Sequence, residues 1–125
     1  MPSDLSTKLQ LKPDQSLLVL NAPEEHAPQL DDISLTNATP ASAVLIFVTK
    51  LAESRQLIKL GISSIRPDGL LWIAYPKGRS GVSTDVNRDT LWQASESTGW
   101  RPVRLVAIDS IWSAMRFRPE DQVGK

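Results

Sequence analysis

The 125-residue chain has no cysteine and a single histidine, His26. The first absence removes disulfides, thiolate metal sites and cysteine nucleophiles. The second leaves no serine–histidine–aspartate triad except one built on His26. His26 stands near Glu24, Glu25, Asp31 and Asp32. One imidazole among exposed acids is not a converging ligand set, so no metal is expected. Neither sign of charge is in surplus: fourteen Lys and Arg balance fourteen Asp and Glu. A general nucleic-acid binder normally carries a basic excess, and that class is set aside. No run approaches the roughly 18–20 apolar residues of a membrane helix. The segment Met1-Pro2-Ser3-Asp4-Leu5 lacks the basic and apolar regions of a secretory leader. The expectation is a cytoplasmic protein with no membrane partner.

What is present describes an ordinary globular domain, 41% hydrophobic and 22% charged. A single domain over 1–125 is expected, with 1–14 and 119–125 as flexible ends. Charge is only mildly skewed: residues 1–65 carry five basic and seven acidic side chains, residues 66–125 nine and seven. Three short apolar runs read as strands: Ser16–Leu20, Ala43–Val48 and Leu70–Tyr75. The third is opened by the turn Arg66-Pro67-Asp68-Gly69 and closed by Pro76. Runs without polar alternation suit strands buried on both faces. Ile33-Ser34-Leu35-Thr36 is a weaker candidate for an edge strand.

Leu51, Ile58, Ile62 and Ile65, widened by Leu57, form one stripe of an amphipathic helix. Pro67 disfavours the α conformation at Arg66 and ends it there. Gly61 weakens that helix. A second helix is expected from Asp85 to about Thr98, with Ser83 or Thr84 as N-cap and Gly99 just past its end. Pro23 and Pro28 keep a third helical turn, Glu24–Leu30, short. Val103–Ile108 and Trp112–Arg118 are strands separated only by Asp109-Ser110-Ile111. A parallel crossover needs about a dozen residues, so this pair is antiparallel. Ser113, Met115 and Phe117 are assigned to the core side of the last strand, and Trp112, Ala114, Arg116 and Arg118 to the other. The order of elements gives an α/β fold: a three-layer Rossmann-like sandwich with a mostly parallel sheet of about five to six strands and a C-terminal antiparallel hairpin.

The helix that leads through Ile65-Arg66-Pro67-Asp68-Gly69 into Leu70-Leu71-Trp72-Ile73, and the closing hairpin, resemble the late part of class I methyltransferase-like Rossmann domains. More narrowly, the chain resembles a small bacterial family of unknown function. That likeness rests on Leu18-Val19-Leu20-Asn21-Ala22-Pro23, Trp72-Ile73-Ala74-Tyr75-Pro76-Lys77, Thr84-Asp85-Val86-Asn87-Arg88-Asp89 with Trp92, Val106-Ala107-Ile108-Asp109, and Trp112-Ser113-Ala114-Met115-Arg116-Phe117-Arg118. The resemblance implies a methyltransferase-like domain shortened by about one strand–helix unit. It implies S-adenosylmethionine less well. Such enzymes place a glycine-rich turn after the first strand, where the backbone must approach the cofactor, and this chain has Asn21-Ala22-Pro23-Glu24. They also end the second strand on a carboxylate that holds ribose, and this chain has Thr36-Asn37. No cofactor is therefore expected.

In an open α/β sheet, ligands sit outside the carboxyl ends of the strands. Those ends gather Asn21, Thr49-Lys50, Tyr75 and Lys77, with Asp109 if its strand runs the same way. A plainer reading is a turn closed by Asn21 and solvated lysines. The loop Lys77-Gly78-Arg79-Ser80-Gly81-Val82-Ser83-Thr84 has two glycines, two cations and three hydroxyls before a helix. It suits a small anionic or nucleotide ligand, but lacks the spacing of a Walker A loop. Asp85, Arg88 and Asp89 sit one helical turn apart, with Arg88 expected to pair with Asp85. The candidate ligand residues are thus Asn21, Lys50, Tyr75, Lys77, Arg79, Ser80, Thr84, Asp85 and Arg88. Arg101, Arg104, Arg116 and Arg118 share one face of the hairpin with Trp112, as a solvated edge or as a surface for a homodimer or protein partner. The leading expectation is a non-catalytic binding or interaction module. The alternative is an enzyme or sensor for a small anion.

Overall fold

The computed structural model describes residues 4–12, 14–24, 28, 30, 33–78 and 80–122. Helix α1 (Asp4–Lys8) precedes strand β1 (Leu17–Leu20). Then follow β2 (Ala41–Phe47), α2 (Leu51–Ser64), β3 (Ile65–Pro76), α3 (Arg88–Ser95), β4 (Trp100–Ala107) and β5 (Trp112–Pro119). Among the described residues the sheet has five strands in the order β1-β2-β3-β5-β4. β1, β2 and β3 are mutually parallel, and β5 is antiparallel to both β3 and β4. β4 therefore runs with the first three, and four of the five carboxyl ends share one edge. The Ile33–Thr36 segment contributes only a single bridge, Leu35 to Leu17.

The apolar runs are buried on both faces, as their lack of alternation implies. Successive side chains in a strand point to opposite sides. Val44, Ile46, Leu71, Ile73, Met115 and Phe117 accordingly meet Ile58 of α2 and Leu91 of α3. Ala43, Leu45, Phe47, Trp72, Ala74, Trp112 and Ala114 form the core of the opposite face. Each large aliphatic side chain buried here contributes about 1.5–3 kcal/mol. For the described residues the expected three layers are corrected: α2 and α3 pack on the same face, and Leu9, Leu11, Leu30 and Ile33 cover the opposite one. The link from β1 to β2 contains Pro23, Pro28 and Pro40, which disfavour a long covering helix.

That cover also corrects the expectation of a loose N-terminus. Leu9 is fully buried, and its carbonyl accepts a 3.0 Å hydrogen bond from the Trp72 indole. At the other end Pro119 still belongs to β5 and a 3₁₀ turn follows at Glu120–Gln122. The assignment of Trp112 and Ala114 to an outer face was likewise mistaken. Both are buried, because β5 lies between β3 and β4 and the N-terminal segment covers its second side. The Trp112 ring meets Phe47 edge to face at 5.0 Å.

α2 ends at Ser64, two residues before the position that Pro67 restricts. Gly61 has a packing reason: a Cβ there would lie 2.5 Å from Ile46 Cδ1 and 2.8 Å from Leu71 Cδ1. Its absence lets α2 sit directly on β2 and β3. The turn at 66–69 does not precede β3 but bulges from within it, between the pairings Ala41 with Ile65 and Ala43 with Leu70. The second helix is shorter than its pattern. Its N-cap is Asn87 rather than Ser83 or Thr84, through a reciprocal capping box with Thr90. A 3₁₀ turn, Glu96–Thr98, ends at Gly99 in the left-handed conformation (φ 79°). β4 begins at Trp100, earlier than expected.

Candidate functional site

The shared edge gathers the ends of β1, β2, β3 and β4 with the loop from Lys77 to Asn87. The polar groups there are largely committed to one another. Asn21 follows β1 in the left-handed region (φ 56°), and its amide Nδ2 donates a 2.8 Å bond to the Phe47 carbonyl at the end of β2. Asparagine tolerates that backbone conformation better than most residues. The side chain thus ties two adjacent strand ends across the place where a cofactor loop would turn.

A second tie holds the loop. The Thr84 hydroxyl donates to the Thr49 carbonyl at 2.6 Å and accepts from the Val86 amide at 3.1 Å. The Asp85 carboxylate accepts a 2.7 Å bond from the Leu51 amide, the first N–H of α2. Lys50 occupies the N-cap position of α2 and offers no side-chain cap. Asp85, 34 residues further on, fills that role. An anionic group at a helix N-terminus meets both free N–H groups and the positive end of the dipole. The expected pairing of Asp85 with Arg88 is therefore corrected: Asp85 lies before α3 and faces α2. Arg88 approaches Asp89 instead, at 3.8 Å. Both residues are exposed, and the pair contributes little.

Lys77 is half-buried and its backbone amide donates to the Ile111 carbonyl at 2.7 Å. Ser80 turns back on Lys77 and its hydroxyl accepts from the Val82 amide. Asp109 does lie on the shared edge. Its carboxylate accepts from the amides of Ile111 and Trp112 at 2.8 Å each, which shapes the β4–β5 turn. Tyr75 is buried beside the start of α3 rather than open to solvent. Burial raises its pKa above the ordinary tyrosine value, with Arg88 opposing and Asp89 adding. Arg79, His26 and most of Glu24–Leu30 lie outside the described residues.

One groove of ≈ 630 Å³ lies between α2 and α3, lined in part by Arg55, Gln56, Lys59, Thr90 and Gln93. Another of ≈ 490 Å³ runs along α2 from Asn21 to Ser63. Of the expected ligand residues, Asn21 alone borders either of these grooves. Among the described residues no group of three or more His, Asp or Glu could hold a metal ion. Among the described residues no helix is long and apolar enough to cross a membrane. The partners that sequence reasoning missed are the carbonyls of Phe47 and Thr49 and the cap at Asn87. A backbone acceptor leaves no mark in a sequence, whereas Asn87 with Thr90 three residues on was a readable capping pattern.

No protein-family model matches the chain. No curated protein matches it either. Solved structures do. An S-adenosylmethionine-dependent methyltransferase from Aquifex aeolicus superposes with a TM-score of 0.60 over 93% of this chain and 88% of its own, at 10% identity. The fold is methyltransferase-like. LepI, solved in complex with S-adenosylmethionine, gives 0.53 over 92% of this chain at 11% identity. LaPhzM gives 0.54 over 92% at 14% identity. The chain spans only 39% of LepI and 46% of LaPhzM. At these identities the likeness is one of fold.

Two features of the strand ends bear on S-adenosylmethionine, with which the Aquifex aeolicus and LepI structures are associated. After β1 the chain reads Asn21-Ala22-Pro23, with side chains where close backbone approach needs glycine. The Asn21 amide is already spent on Phe47. Past the Leu35 bridge the sequence reads Thr36-Asn37, without the carboxylate that would hold ribose hydroxyls.

Proposed function

We propose that this chain is a binding module on a methyltransferase-like scaffold, without methyl-transfer activity. The observation that carries the reading is the Asn21 amide bound to the Phe47 carbonyl, which ties the first two strand ends where the donor would enter. The polar side chains of the edge support it. Asp85 caps α2, Asn87 caps α3 and Asp109 shapes the hairpin turn, so three groups suited to ligand or proton handling serve the backbone. A small anion at the Lys77–Thr84 loop would have to displace Asp85 to reach the N-terminus of α2.

The test is thermal unfolding with S-adenosylmethionine, S-adenosylhomocysteine and inorganic phosphate. A ligand specific for the folded state at a hundred times its Kd stabilises by about 2.7 kcal/mol. For a domain of this length that raises the melting temperature by about 10 °C. No shift is expected with any of the three. A shift of several degrees with either adenosyl compound, lost on blocking the Asn21 edge by Ala22→Trp, overturns the reading.

A further inference from the structure

Arg101, Arg104, Arg116 and Arg118 form a compact array on one face of the β4–β5 ladder. The register sets Arg101 opposite Arg118 and Arg104 opposite Arg116. Residues three apart in a regular strand point to opposite sides. The irregularity between Pro102 and Arg104 absorbs Val103 and returns Arg104 to the face that Arg101 occupies. Opposed Cβ atoms in such a ladder lie about 5 Å apart, and alternate residues along a strand about 7 Å apart. The four guanidinium groups thus issue from a patch about 5 by 7 Å at its base.

Like charges set directly opposite one another destabilise a sheet. This sheet carries two such pairs, and among the described residues no ion pair joins any of the four arginines. Arg116 is half-buried. Its Nη1 donates to Gln10 Oε1 at 2.7 Å, while its Nε is buried without an acceptor. Burial lowers its pKa, and Arg118 and Arg104 lower it further. Arg101 and Arg104 are exposed, and Arg116 and Arg118 are half-buried, with Arg116 against the N-terminal segment at Gln10. Arginine is enriched at protein interfaces.

We propose that the arginine face docks an extended acidic segment of a partner protein, with its alternate carboxylates seated on the two arginine rows. Alternate side chains of an extended chain recur at about 7 Å on one side, which matches the step from Arg116 to Arg118. Each guanidinium can take a carboxylate in a two-pronged bond. Neutral net charge and a patch of four cations favour a short local partner over the long phosphate track of a nucleic acid. The inference rests on the binding-module reading and gives that module its partner class.

The experiment titrates the full chain with a short synthetic peptide of alternating Glu and Thr, following the arginine Nε–Hε signals by NMR. The Arg116 signal is expected to shift and to exchange more slowly with water. Affinity should fall about tenfold in R118Q and in R104Q, and decline with added salt. R101Q replaces R104Q if the latter does not fold. R55Q, which removes the same charge from α2, should leave affinity unchanged. Absence of binding, an equal loss in R55Q, or tighter binding of inorganic tripolyphosphate than of the peptide each overturns the proposal. Binding of S-adenosylmethionine in the thermal assay would overturn the module reading instead, whatever the peptide titration returns.

Discussion

Asn21 offers a direct test of how the first strand end is held. Two effects meet there: a left-handed backbone at φ 56° and a 2.8 Å hydrogen bond from Nδ2 to the Phe47 carbonyl. Removing the bond costs about 1 kcal/mol net. Placing alanine in the left-handed region costs a further 1–2 kcal/mol, because its Cβ crowds the following carbonyl. Asn21→Ala should therefore destabilise by about 2–3 kcal/mol. Asn21→Gly loses the same bond but suffers no steric penalty, against a larger unfolded-state entropy of about 0.5–1 kcal/mol. It should destabilise by about 1.5–2 kcal/mol, less than the alanine variant. For a domain of this length the two melting temperatures should fall by about 8–11 °C and about 6–8 °C. Urea and thermal unfolding of the three proteins provide the measurement. Two equally destabilised variants would refute the backbone argument. Two variants as stable as the parent would refute the strand-to-strand bond and, with it, the main support for a closed donor crevice.

Other outcomes follow from particular contacts. Asp85→Ala should lower stability by about 1 kcal/mol and speed amide exchange at Leu51, since the first N–H of α2 loses its acceptor. Gly61→Val should destabilise by about 3 kcal/mol in urea unfolding, because its branches would enter the space of Ile46 and Leu71. Trp72→Phe should cost about 1–3 kcal/mol, leaving the Leu9 carbonyl buried without its donor, and should make the N-terminal segment more open to proteolysis. Tyr75 binds its proton more tightly when folded than when unfolded. Its contribution to stability is present below the unfolded pKa and is lost as pH rises through the folded value. Unfolding midpoints should therefore decline above about pH 10, and Tyr75→Phe should flatten that decline. Tyr75 is the single tyrosine, so tyrosinate absorbance reports its ionisation directly.

Local pattern by itself determined the strands and their burial on two faces. It also set the end of α2 before Pro67 and the antiparallel hairpin. These rest on periodicity, chain stiffness and loop length, which act over a few residues. Zero net charge and the residues after β1 likewise shaped the functional expectations without any coordinates. Only the tertiary structure decided which groups meet across the chain. It placed both long helices on one face and drew Leu9 under Trp72. It also turned Asp85 from its neighbour Arg88 to the first amide of α2, and engaged Asn21 with Phe47. The physical reason is that a backbone N–H or carbonyl is identical at every position in a sequence. Which of them is left needing a partner, and which side chain arrives to serve it, is settled only when the strands have paired and the helices have packed.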